Sequence, residues 1–485
     1  MDLFIISHPF RFETENIVRM FFKSEDIKIL FEDKISDSYI KTIAEDLENG
    51  QVKFTVDISL NGKKFSESVI IDRTENYKKE GEYALMRLLY KSLQKFTGYS
   101  SVWGMLTGIR PSKFYRNTKI RVGDENIDKY FQDTYLLSDE KLALTREVAN
   151  REDEILKKVK DFGCSLYISI PFCPTRCLYC SFVSHSIERT RKLMIPYVKN
   201  LAEELKIIAK IIRDLDLPLQ SIYFGGGTPT SLENDEIDFL MKTVRDNFNL
   251  SELIEYTVEA GRPDTVTEEK LKTILNYGAT RISINPQTAS DDVLKIIGRN
   301  HTFSDFCEKF SLARKIGFNN INTDLIAGLP GDNLDGFKNS IDRILEKNPE
   351  NVTVHTLAIK RSSTLGEHPI PHSGEVDDML KYASLNLREA GLNPYYMYRQ
   401  SNSASDLENV GYAKSGFEGF YNIVMMNEVQ SVFSAGAGAV TKLKNPKGGE
   451  IERIFNYKFP YEYLDRFDDI LNRKGEILKF YGKFI

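Results

Sequence analysis

The sequence predicts an α/β protein: a partial (β/α)6 barrel, preceded by an N-terminal α+β domain and followed by a C-terminal mixed α/β extension. Three observations predict it. From residue 166 short apolar strands alternate with amphipathic helices, the pattern of a parallel β/α array. Each expected strand end carries a chemically unusual residue, and parallel barrels collect function at those ends. Before residue 136 and after residue 360 the alternation is absent.

The N-terminal domain spans 1–135. Val52, Phe54, Val56, Ile58 and Leu60 alternate, Asn61-Gly62 supplies a tight turn, and Phe65, Glu67, Val69 and Ile71 resume the alternation. That is a hairpin signal. A helix follows, with Met86, Leu89, Leu93 and Phe96 at helical spacing. Ser138 is placed to cap a charged helix running to about 162, with Leu142, Leu144, Val148, Ile155 and Val159 on its buried side. This stretch, 136–163, is expected to link two domains. The barrel domain covers 164–360, with strands expected at 166–170, 221–224, 256–259, 281–284, 321–326 and 352–355. Helices are expected between them, among others at 195–214, 267–276, 303–316 and 335–346. Six units make a partial barrel, since a closed eight-unit barrel takes ~250 residues. The remainder, 361–485, is expected to be a substrate-side domain.

The composition, 41% hydrophobic and 28% charged, is that of a globular protein. A net charge of −5 and a pI of about 5.9 argue against a general nucleic-acid binder. The start, Met1 to Ser7, lacks the charged and apolar regions of a signal peptide, and no apolar run approaches the roughly 20 residues of a membrane span. A cytoplasmic protein is expected. Oligomeric state leaves no signal.

Three of the five cysteines lie within eight residues, a clustering that points to a metal or redox site rather than a disulfide framework. Cys164 and Cys307 stand apart and read as small buried hydrophobes. The cluster follows the first expected barrel strand as Cys173, Cys177 and Cys180. Three thiolates leave one iron of a four-iron cluster open to a small-molecule chelator. Structural zinc is the alternative, with Cys164 or His185 as a fourth ligand, although the loop lacks the usual second pair. The second strand runs into Gly225-Gly226-Gly227-Thr228, either a turn needing positive φ or backbone that approaches a ligand. The third strand ends at Glu259, the fourth leads to Gln287, the fifth contains Asp324 and the sixth ends at His355, and Arg299 lies beyond the fourth. Each is open to a helix-capping or solvated role. As a set, Glu259, Gln287, Arg299 and Asp324 offer two acids, an amide and a cation, which suits an amino-acid nucleoside.

The segments YISIPFCPTRCLYCSF, SIYFGGGTPT, YTVEAGRPD, TRISINPQT, GRNHT and NTDLIAGLP, in this order, resemble the radical S-adenosylmethionine superfamily. They are most similar to its oxygen-independent coproporphyrinogen III oxidase family, in the branch with an N-terminal extension. The resemblance implies that Cys173, Cys177 and Cys180 hold a [4Fe–4S] cluster and that S-adenosyl-L-methionine chelates its open iron. It implies that Tyr167, Gly226, Thr228, Glu259, Gln287, Arg299, Asp324 and Ile326 surround that cofactor, with Phe172 and Tyr179 shielding the cluster. It further implies an electron donor such as flavodoxin or ferredoxin, and a 5′-deoxyadenosyl radical acting on a porphyrinogen or haem-type substrate. The expected reaction is oxidative decarboxylation of coproporphyrinogen III propionates to vinyl groups. A haem-binding chaperone or a haem-modifying enzyme on the same scaffold is the alternative. The chain departs from the oxidase pattern at Ser181-Phe182, where the prototype carries a further cysteine, and this leaves the substrate open. Arg110, Arg399, the tyrosines 395, 396 and 398, and Ser434 to Ala439 are further candidates for the substrate side.

Overall fold

The computed structural model describes residues 1–22, 25–180, 185–358, 373–400, 406–449 and 451–484. The chain divides into two compact units, Met1–Arg146 and Glu147–Ile485.

In the first unit, β1 (Asp2–Ile6), β2 (Lys28–Leu30), β3 (Tyr39–Asp46), β4 (Gln51–Leu60) and β5 (Lys63–Asp72) form one sheet in the order β2-β1-β3-β4-β5. The expected hairpin is β4 and β5. Asn61 and Gly62 both take positive φ, 51° and 75°, as a two-residue type I′ turn requires. Val52, Phe54, Val56 and Ile58 face a core shared with Ile17 and Val18 of helix Arg11–Phe21 and with Leu85, Leu89 and Leu93 of helix Tyr77–Thr97.

In the second unit, β6 (Cys164–Ile170) leads into a short pair, β7 (Phe172–Cys173) and β8 (His185–Ser186). The parallel series continues through β9 (Leu219–Gly226), β10 (Glu255–Glu259), β11 (Arg281–Ser283), β12 (Ile321–Ala327) and β13 (Asn351–Thr356). The six expected barrel strands are therefore β6 and β9 to β13. The last strands are β14 (Asn393–Arg399), β15 (Glu408–Ala413), β16 (Ser431–Ala435), β17 (Val440–Lys444) and β18 (Ile451–Phe455). All but β7 and β8 join one sheet, β14-β15-β13-β12-β11-β10-β9-β6-β16-β17-β18. From β13 to β6 every neighbouring pair is parallel. The stretch 361–485 supplies strands to both edges of that sheet, antiparallel at β15 and parallel where β16 joins β6.

The helix predicted from Ser138 to about 162 spans Asp139–Leu156. It stops early because the buried Gln220 side chain takes the backbone beyond it, accepting from Lys160 N at 2.9 Å and donating to Lys158 O at 2.8 Å. Phe162 then turns the chain into β6 with φ 55°. Helix Ile187–Asp214 begins before the expected 195 and carries Pro196 within it. It tolerates the lost hydrogen bond because Met194, Tyr197, Val198 and Leu201 are buried along the same stretch.

That helix is fastened from inside. Glu204, fully buried, accepts from Lys474 Nζ (2.8 Å), Asn456 Nδ2 (2.7 Å), Gly436 N (2.8 Å) and Tyr463 Oη (2.7 Å). Gly436 has φ 96°, and a Cβ there would lie 2.5 Å from both Ser169 O and Tyr197 Oη. The stretch from Ser434 to Ala439 is thus a tight packing junction between the C-terminal segment and the barrel. Removing one partner of a buried ion pair strands the other charge, so Lys474→Met is expected to cost roughly 3–5 kcal/mol. Urea denaturation of the variant checks this.

Candidate active site

The parallel strands end on one side, and their last residues line a common cavity of about 280 Å³. Cys173, Cys177, Cys180, Gly226, Thr228, Glu259, Gln287, Arg299, Asp324 and Ile326 all contribute to its wall. Tyr167 is not among the lining residues. It stacks instead with Tyr223 and Tyr421, at ring distances of 6.2 and 6.3 Å. Phe182 and Ser181 lie outside the described residues.

The cysteine loop is held by the glycine triplet. Gly227 N donates to Ile170 O at 2.7 Å and Thr228 N to Phe172 O at 2.9 Å. Gly226 has φ 108°, a conformation that favours glycine. A Cβ on Gly227 would lie 2.7 Å from Phe172 O and 3.0 Å from Cys173 Sγ. The triplet is therefore a turn of glycine-favouring backbone that packs closely against the cysteine loop. Cys173 Sγ also meets Thr228 Oγ1 at 3.4 Å.

From the opposite side the loop is tied to the chain after β11. Leu178 N donates to Ile297 O (3.1 Å) and Thr175 Oγ1 to Gly298 O (2.8 Å). Arg299, buried, donates to Gly261 O, Asn285 O and Tyr179 Oη at 3.1, 2.7 and 3.1 Å, while its Nε has no partner. Tyr179 lines the cavity, whereas Phe172 packs edge-on against Tyr197.

The acids differ in state. Burial, with the charge of Asp324, pushes the Glu259 carboxyl up to about 7, although the Tyr223 hydroxyl donates to it at 2.5 Å. Burial also opposes ionisation of Asp324, but His355 and the amides of Asn322 and Asn285 (each 2.7 Å) surround it, and its pKa lies below the usual carboxylate value. Gln287 is strained at φ 72°, held by Asp324 O and Ile326 N at 3.1 and 3.0 Å. Its buried Oε1 has no partner. An off-pattern backbone holding an unpaired amide into a cavity is a common mark of a ligand site.

Two of the expected candidates, His355 at the end of β13 and Tyr398, join the wall and are bonded through Nδ1 and Oη at 3.3 Å; Arg262, Asn285 and Gln400 line it as well, although the sequence did not single them out. Arg262 lies in the segment YTVEAGRPD, three residues after Glu259, and that proximity is its signal in the sequence. Arg399 points elsewhere, donating from Nε and Nη2 to Asp406 O. Tyr395 and Tyr396 belong to a buried cluster with Phe420 and Val424. Arg110 lies in the first unit, directly before helix Pro111–Val122.

Among the described residues, no three His, Cys, Asp or Glu side chains converge closely enough to hold a metal ion. Cys164 is fully buried at the opposite end of β6 from the loop. Cys173, Cys177 and Cys180 all line the one cavity.

The sequence model of the Radical SAM superfamily matches residues 167–344. The chain is 41% identical over 396 residues to the oxygen-independent coproporphyrinogen-III oxidase-like protein HemZ of Bacillus subtilis (strain 168), covering 80% of this chain and 79% of that protein. It is 32% identical over 310 residues to the heme chaperone HemW of the same organism, covering 61% and 77%. Among solved structures, coproporphyrinogen III oxidase (HemN) from Escherichia coli, described as a radical SAM enzyme, matches with a TM-score of 0.50 over 66% of this chain and 72% of that one. At 21% identity this is a likeness of fold. Among the described residues no helix is long and apolar enough to cross a membrane.

The raised Glu259 favours the neutral acid in the folded state. Its stabilising share is present below the unfolded value of 4.5 and is lost as pH rises through about 7. Without bound cofactor, Glu259→Gln is therefore expected to gain stability relative to wild type between about pH 5 and about pH 8. Urea denaturation at the two pH values checks this.

Proposed function

We propose a function from one premise: the chain belongs to the radical S-adenosylmethionine superfamily, in its oxygen-independent coproporphyrinogen III oxidase-like group. Membership implies an iron–sulfur cluster and S-adenosylmethionine, and the named relatives are haem-related proteins. The finer reading is oxidative decarboxylation of coproporphyrinogen III propionates to vinyl groups, making protoporphyrinogen IX.

The observation that carries it is the shared cavity, where three thiols adjoin Glu259, Gln287, Arg299 and Asp324. The residues present fit the cofactors. The donor set lining the cavity is three thiols, and Gln287 Oε1 and Arg299 Nε are buried without partners. Gly226 and Gly227 leave room where side chains would intrude. Cys173, Cys177 and Cys180 would hold a [4Fe–4S] cluster, and Gly226, Thr228, Glu259, Gln287, Arg299, Asp324 and Ile326 would surround S-adenosylmethionine. When bound, and with electrons from a donor such as flavodoxin or ferredoxin, these groups would supply radical chemistry able to remove a hydrogen atom from an unactivated carbon. The chain's own contribution is position and exclusion of water. The glycine triplet and Arg299 fix the loop, Gln287 and Thr228 offer hydrogen bonds, and Glu259 and Asp324 offer acceptors. His355, Tyr398 and Gln400 form the wall beyond them, on the side left for substrate.

The HemW relatives favour a second reading, haem binding without turnover. An anaerobic assay with reconstituted cluster, S-adenosylmethionine, reductant and coproporphyrinogen III separates the two. Two successive losses of carbon dioxide, each matched by 5′-deoxyadenosine, are expected in mass spectra. Tight haem binding without products supports the chaperone, and methyl addition or ring opening with haem supports haem modification. Stoichiometric zinc without labile sulfide would overturn the radical reading altogether. Replacing any one of Cys173, Cys177 or Cys180 by Ser is expected to abolish 5′-deoxyadenosine formation.

A further inference from the structure

We infer that Arg262 is a positioning residue of the cysteine loop and sets the reduction potential of the cluster through its contact with Cys177. The inference rests on the cluster reading above and adds to it an electrostatic role for a residue outside the cofactor set.

Arg262 follows β10 and is buried, 3% exposed. Its orientation is fixed by a fork on Asp264, with Nε to Oδ1 at 3.0 Å and Nη2 to Oδ2 at 2.9 Å. The remaining nitrogen, Nη1, turns to the cysteine loop. It donates to Thr175 O (3.3 Å) and Thr175 Oγ1 (3.1 Å), and reaches Cys177 Sγ at 3.8 Å, within range for the larger sulfur atom. Thr175 and Cys177 are thus both held from one guanidinium. Behind the pair stands His301, whose side chain is fully buried with Nδ1 4.0 Å from Asp264 Oδ1. Burial and the charge of Arg299 depress its pKa to about 4, which keeps it neutral and leaves Asp264 to Arg262.

Cys177 thus meets a guanidinium, and Arg299 lies beside the same sulfur. The Arg262–Asp264 pair is a dipole with its positive end against Cys177. Hydrogen bonds to ligand sulfurs and buried charge are main determinants of iron–sulfur potentials. A donor at the sulfur favours the more negative, reduced cluster, and low local polarity strengthens the effect. Arg262 should hold the potential up.

Arg262→Met paired with Asp264→Asn removes the dipole without changing net charge or stranding the carboxylate. In the full chain, the test measures thermal unfolding by circular dichroism, iron and sulfide per chain, and the cluster potential by redox titration monitored by electron paramagnetic resonance without S-adenosylmethionine. The pair is expected to keep its fold and to lose reduced cluster about tenfold at fixed poise, a shift of about 59 mV to more negative potential. Arg262→Lys is expected to shift the same way by less. A wild-type potential in the clustered pair overturns the inference. If the pair folds without a cluster, Arg262→Lys decides, a negative shift supporting the inference and a wild-type potential overturning it. A wild-type chain that binds no labile sulfide instead defeats the cluster reading itself.

Discussion

The parallel pairing of six strands from β13 to β6 is the constraint on which the site depends. Because each strand leaves the sheet in the same direction, residues remote in sequence finish side by side. Ile170 lies opposite Gly226, Glu259 opposite Ser283, and Ile326 opposite His355. Side chains alternate across a strand, so a one-residue slip would turn Glu259 or Asp324 away from the cavity. The register is fixed by the apolar alternates, among them Ile168, Phe224, Val258, Ile282 and Leu325, which are buried on the other face.

A cavity lined with acids, an amide and guanidinium groups is costly to build inside a fold, because each group gives up water. The structure offsets most of that cost locally. Asp324 is met by Asn285 and Asn322, Arg299 by backbone carbonyls and Tyr179, and Arg262 by Asp264. What is left unpaired is informative. Gln287 Oε1 and Arg299 Nε belong to residues of the cavity wall and are buried without partners. On the far side of the barrel sheet's β6 edge, Glu204 uses the opposite strategy, filling all its acceptor positions so that the junction is rigid.

Much of this was legible in the chain. The barrel strands were readable because apolar runs of four to six residues are bounded by glycine, proline or a polar end residue, as at Ser221 to Gly225. The cysteine loop was readable because its ligands are contiguous. The role of Arg262 was not, because its partners Asp264, Thr175 and Cys177 are brought together from two strand ends. The early end of the linking helix was equally hidden, since it depends on Gln220, sixty-odd positions along the chain. Tyr167 shows the reverse case: a residue matched by motif that the fold places in a tyrosine stack beside the cavity's acids rather than in the cavity wall.

Local pattern alone determined the fold class, the hairpin at Asn61-Gly62, the three-thiol loop and the superfamily the chain resembles. These are properties of residues close in sequence, whose spacing already encodes period, turn and ligand order. Tertiary structure decided which polar residues share the cavity, which acid's pKa is raised and which lowered, and how the stretch 361–485 joins both edges of the barrel sheet. Those outcomes depend on burial and on distances across strands, and neither is written in the order of residues along the chain.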